Sequence, residues 1–201
     1  MGTPPKSFAG PFPCLEELKL VHLGATPLSS VFLALPNMTT LRILTLRQTN
    51  FTKTRVEPSG FLNALPRLRF LTELNFCFFG WQLEDIQKIY LPAGLETLDC
   101  DNSFREAPDL SPLWSALQLC SSLTKLNVSC TGSASAPWIP VIPTTLTSLG
   151  LEVYSDVTSV GLSFLNHASR LENLRILTLF DFDDDNEHAG KLRSHHLGLM
   201  R

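Results

Sequence analysis

A chain of 201 residues, 44% of them hydrophobic and 17% charged, has the material for a sizeable buried core. Its net charge of −3 gives no general attraction to nucleic acid or to an anionic membrane surface. No apolar run approaches the roughly 20 residues that cross a bilayer, so neither partner class is expected.

The chain opens with MGTPPKSFAGPFP, which lacks the apolar segment of a secretory signal and places Ser7 off the myristoylation pattern. Residues 1–13 are expected to be a weakly ordered lead. The first patterned stretch is LEELKL from Leu15, and close variants then recur along the chain. They are LRILTL from Leu41, LTELNF from Leu71, LETLDC from Leu95, LTKLNV from Leu123, LTSLGL from Leu146 and LRILTL again from Leu174. The first leucines of the seven copies are separated by 26, 30, 24, 28, 23 and 28 residues. In each copy the last two apolar positions stand two apart, the spacing that puts side chains on one face of a strand. One such strand cannot bury its apolar face alone, whereas stacked copies share a continuous core.

Between the copies, residues 27–38, 58–68, 82–91, 111–120 and 159–171 carry apolar residues at three- and four-residue intervals, predicting short helices. Ser111 followed by Pro112 reads as an N-cap with proline in the first helical position. In the third connector Leu83 and Ile86, with Ile89 or Tyr90, mark one face. The connector at 132–143 contains three prolines and is expected to be an extended crossover. Pro36 and Pro66 stand five residues before the next motif leucine, and Pro92 and Pro143 three before. Proline disfavours helix in the residue before it, so Leu35 and Leu65 are expected to be extended, ending each helix and leading into the strand. Residues 14–182 therefore read as one repeat domain. Residues 183–201 read as an acidic loop followed by a tail or an incomplete repeat.

These seven spaced copies resemble the leucine-rich repeat family. The resemblance implies an α/β fold: a curved solenoid with parallel strands on its concave side and short helices or irregular turns on its convex side. The alternation of long units such as LALPNMTTLRILTL with shorter ones such as LPAGLETLDC looks most like the repeat region of fungal F-box proteins. The family usually places Asn or Cys three residues after the last leucine. Here Leu23, Thr49, Phe79, Ser103, Thr131, Tyr154 and Phe182 stand there, implying irregular turns. No F-box segment of about 45 residues precedes Leu15, so the chain reads as the C-terminal portion of a larger product.

No constellation for catalysis is evident. There is no GxSxG elbow, Gly-rich phosphate loop or HExxH pair, and the chain is expected not to be an enzyme. His188, His195 and His196 lack zinc-site partners. The run Asp181 to Glu187 has Asn186 and Leu192 where a calcium loop needs Gly and Glu. No metal or cofactor is therefore assigned. The five cysteines, odd in number and without CxxC spacing, read as core residues or free thiols of a cytoplasmic or nuclear protein. Cys77, with Glu73 beside it and no cation obvious, has no feature that would stabilise a thiolate.

What remains is a surface. Residues alternating with the inward leucines face the concave side, and the candidate partner-binding set is Arg47, Glu73, Asn75, Asp99, Asp101, Lys125, Asn127 and Glu152. Its centre is expected to be acidic through Glu73, Asp99 and Asp101, suiting a basic or polar protein partner. The expected function is non-catalytic recognition by a monomer. By the resemblance, that role is substrate recognition within an F-box-type ubiquitin ligase. The alternative, an extracellular recognition or effector protein, would call for a signal sequence or disulfides.

Overall fold

A computed structural model of the chain describes residues 12, 14–21, 28–47, 58–77, 83–100, 110–130, 141–153, 170–181 and 193–196. Eight strands form one sheet in chain order. They are β1 (Glu17–Val21), β2 (Ile43–Arg47), β3 (Glu73–Cys77), β4 (Thr97–Cys100), β5 (Lys125–Cys130), β6 (Ser148–Val153), β7 (Ile176–Asp181) and β8 (Arg193–His196). The first seven are parallel, one from each LxxLxL copy. Strand β8 pairs antiparallel with β7, giving part of the expected tail a strand of its own.

The register follows the motif. Leu18, Leu44, Leu74, Leu98, Leu126, Leu149 and Leu177 align across β1 to β7. From Leu44 onward these leucines are buried, as are the motif-opening residues Leu41, Leu71, Leu95, Leu123, Leu146 and Leu174. In the first unit Leu15, Leu18 and Leu20 are only partly buried.

Backbone bonds repeat with the same period. The carbonyl of the residue after each opening leucine accepts two N–H groups from the next unit. Glu16 O takes the N–H of Arg42 and Ile43, Arg42 O takes Thr72 and Glu73, and Thr72 O takes Glu96 and Thr97. Glu96 O, Thr124 O and Thr147 O continue the ladder to β7. Thr72, Thr124 and Thr147 add a hydroxyl donor to the same carbonyls. Before each of the seven parallel strands a tight turn closes from the opening leucine's N–H to the carbonyl three residues earlier: Phe12, Met38, Leu68, Pro92, Cys120, Pro143 and Leu171. These turns satisfy the amides that enter each strand, so every unit starts at the same height.

Four short helices connect the early strands: α1 (Ser29–Ala34), α2 (Ser59–Ala64), α3 (Leu83–Ile86) and α4 (Ser111–Leu117). They lie against the leucine face. Phe61 of α2 packs on Phe32 of α1, centroids 5.7 Å apart, and on Phe76 of β3 at 5.3 Å. Helix α4 buries Leu113, Trp114, Ala116 and Leu117 in the same core. In the third connector Ile86 and Ile89 are buried while Tyr90 is exposed.

Two local expectations are corrected. Leu35 and Leu65 are helical, at φ −50°, ψ −43° and φ −50°, ψ −45°, not extended. Each helix passes into a 3-10 turn, Leu35–Asn37 or Leu65–Arg67, that carries the proline near its start, where no N–H is required. The chain leaves helical geometry only afterwards, at Met38 and Leu68. Ser111 is not the cap of α4 but its first residue. Leu110 is the N-cap residue without a side-chain bond, its carbonyl accepts the Trp114 N–H at 3.0 Å, and Pro112 fits the first turn.

Of the remaining expectations, the acidic run, all but the ends of the 132–143 and 159–171 connectors, and the seven positions after the motifs lie wholly or almost wholly outside the described residues. Among the described residues, no helix is long and apolar enough to cross a membrane.

Candidate functional site

The strand face opposite the leucines carries three rows of side chains, because alternate residues of a strand point to opposite sides. The middle row is Lys19, Thr45, Asn75, Asp99, Asn127, Gly150 and Thr178, matched in register from β1 to β7. A second row runs Glu17, Ile43, Glu73, Thr97, Lys125, Ser148 and Ile176. The third includes Val21, Arg47 and Cys77 on β1 to β3 and Ser129 on β5.

Four of the eight candidate residues are joined. Arg47 reaches over β3 and β4, donating from Nε to Asn75 Oδ1 at 2.7 Å and from Nη2 to Asp99 Oδ2 at 2.5 Å. Asn127 Nδ2 donates to the other carboxylate oxygen, Asp99 Oδ1, at 3.2 Å. The result is one network across β2 to β5. The planar guanidinium suits this task, since its donors point in fixed directions to two neighbours. At the first strand, Lys19 Nζ lies 2.6 Å from Glu17 Oε1, and this hydrogen bond raises the ammonium's pKa. Thr45 is buried on this same face.

The network alters the expected electrostatics. Asp99 is not a free acidic centre, because Arg47 neutralises it and both its oxygens are occupied. Glu73 and Lys125 share a row but stand on either side of Thr97. Asp101 and the Glu152 side chain lie outside the described residues.

The candidate set lacks Ser148, Gly150 and Thr178, which shape the face around β6. Gly150 sits in the row between Asn127 and Thr178 and has no side chain to fill its place. A cavity of about 300 Å³ opens there, lined by Thr97, Asp99, Lys125, Asn127, Ser148, Gly150 and Thr178 among others. A methyl group at Gly150 would stand 2.6 Å from Asn127 Oδ1, so glycine is what lets the Asn127 side chain lie across the strand. That oxygen is buried without a hydrogen-bond partner among the described residues. A glycine inside a strand pattern is the signal that points here.

A larger cavity of about 410 Å³ lies at the edge where strands begin, between Glu16, Arg42, Arg69 and Phe70. It is bounded largely by exposed turn residues. The sheet-face cavity has more polar groups converging from neighbouring strands.

Cys14, Cys77, Cys100 and Cys120 carry free thiols. Burial pushes the Cys120 thiol up to about 11, which suppresses the thiolate at neutral pH. Among the described residues, no group of three or more His, Cys, Asp or Glu side chains could hold a metal ion.

No protein-family model matches the chain, and no curated protein matches it. The functional reading therefore rests on the geometry above.

Proposed function

We propose that the chain is a leucine-rich repeat solenoid whose concave sheet face docks a protein partner without performing chemistry on it. Support for the solenoid comes from strand order equal to chain order, with one strand per unit and the same turn and carbonyl ladder at each step. The observation that carries the docking role is the bonded set Arg47, Asn75, Asp99 and Asn127. It fixes side chains of four strands in one arrangement, so little conformational entropy is left to lose when a partner binds. By its resemblance to F-box repeat regions, the partner is a protein presented to a ubiquitin ligase. The four described free thiols accord with a cytoplasmic or nuclear site of action.

The test is affinity capture from a source-cell extract by the purified chain and two variants. Thr97→Arg places a long side chain on the proposed face, and Glu84→Arg alters the exposed side of α3 as a control. The expected result is a captured protein shared by wild type and Glu84→Arg and lost with Thr97→Arg, at unchanged thermal midpoint. Capture by Thr97→Arg equal to wild type would contradict the docking role.

A further inference from the structure

We infer that the cavity beside Gly150 is a seat for a carboxylate side chain of the partner. The inference rests on the docking-face reading and specifies the chemistry of what docks there. It reverses the sign of charge that the carboxylates of the sequence suggest.

The reasoning is a census of donors and acceptors. Among the described residues the one carboxylate lining the cavity, Asp99, has Oδ2 bonded to Arg47 and Oδ1 bonded to Asn127. The Asn127 amide spends a donor on Asp99, and its oxygen is buried against the Gly150 backbone. The strongest acceptors of the site are thus spent or covered. What remains is able to donate: the Lys125 ammonium and the hydroxyls of Thr97, Ser148 and Thr178. Lys125 is exposed and forms no ion pair with a described residue, unlike Lys19 and Arg47. Glu73, the described acid in its row, stands two strands away.

A site with an uncommitted cation and hydroxyl donors favours an anion over a cation, and the cavity of about 300 Å³ has room for one. Next to Ser148 on β7, Ile176 is 53% exposed. An apolar partner residue beside the acid would cover it. The fitting partner is therefore a protein segment that places Asp or Glu on Lys125 with an apolar residue close by.

The probe is a phage-displayed library of random dodecapeptides selected on the immobilised full chain. Enriched peptides are then titrated by fluorescence polarisation against wild type, Lys125→Gln and Thr97→Arg. The expected outcome is a shared Asp or Glu beside an apolar residue, with binding about tenfold weaker to Lys125→Gln, the size of a lost charge-assisted bond. Added salt should weaken the wild-type complex, and replacing the peptide's acid by its amide should erase the difference between wild type and Lys125→Gln. Enrichment of basic peptides, binding indifferent to Lys125→Gln, or no enrichment would each overturn the carboxylate seat. If Thr97→Arg still abolishes capture of the partner, the seat alone falls. If capture survives Thr97→Arg, the docking face falls with it.

Discussion

Asn127 and Gly150 face each other on β5 and β6, and each explains the other. The 2.6 Å approach that a methyl group would make to Asn127 Oδ1 couples the two positions. Gly150→Ala should destabilise the protein by about 1 kcal/mol, since relieving the clash costs the Asn127–Asp99 hydrogen bond. In an Asn127→Ala background the same substitution has room, and stiffening the unfolded chain should make it stabilising by about 0.5 kcal/mol. Urea denaturation of the four proteins checks this change of sign. Arg47 and Asp99 are partly exposed, at 36% and 21%, so their ion pair is screened by solvent. A cycle of Arg47→Met and Asp99→Asn should give a coupling of about 0.5–1 kcal/mol that shrinks in 1 M salt. Cys120 has a folded pKa above its unfolded value because burial disfavours the thiolate. Its contribution is fully present below about pH 9 and is lost as pH rises towards about 11. Stability should therefore fall over that window, and fall less in Cys120→Ala. In the native state Cys14 should react with a thiol reagent and Cys120 should not, as mass spectrometry of alkylated protein would reveal.

Among the elements, α2 ties helices to sheet through Phe61, which is fully buried and meets both Phe32 and Phe76. Phe61→Ala should cost about 3–5 kcal/mol, the range for deleting a buried aromatic ring. Exposed Phe70→Ala should cost under about 0.5 kcal/mol, and thermal denaturation distinguishes the two. The strands were legible in the sequence because LxxLxL holds both the period-two alternation and the repeat period, and all seven copies begin a strand where expected. Less legible was how each unit is entered. The tight turns close on Met38, Leu68, Cys120 and Leu171, buried residues three places before the opening leucine, so the repeated phrase is longer than LxxLxL. Proline was misjudged at Leu35 and Leu65 because a 3-10 turn accommodates its missing N–H as well as an extended chain does. The rows of alternate residues follow from strand alternation alone. The reach of Arg47 over two neighbouring strands to Asp99 does not, since it depends on side-chain conformation that strand spacing does not reveal.

At the scale of the whole molecule, parallel strands follow one another in order, and the described helices and the seven parallel strands feed one hydrophobic cluster. Each strand bonds to its immediate neighbours, so stability should behave as a chain of nearest-neighbour terms, and one face can vary in sequence without disturbing the core. Residue-resolved amide hydrogen exchange in wild type and Leu98→Ala tests this most directly. Leu98 is buried at the centre of β4, and the amides of Ile43, Glu73, Thr97, Lys125, Ser148 and Ile176 report the ladder unit by unit. Protection should fall most at Glu73, Thr97 and Lys125 and progressively less at Ile43 and Ile176. Stacking of neighbours in chain order would be contradicted if protection vanished first at Ile43 or Ile176 while Glu73 and Lys125 kept theirs.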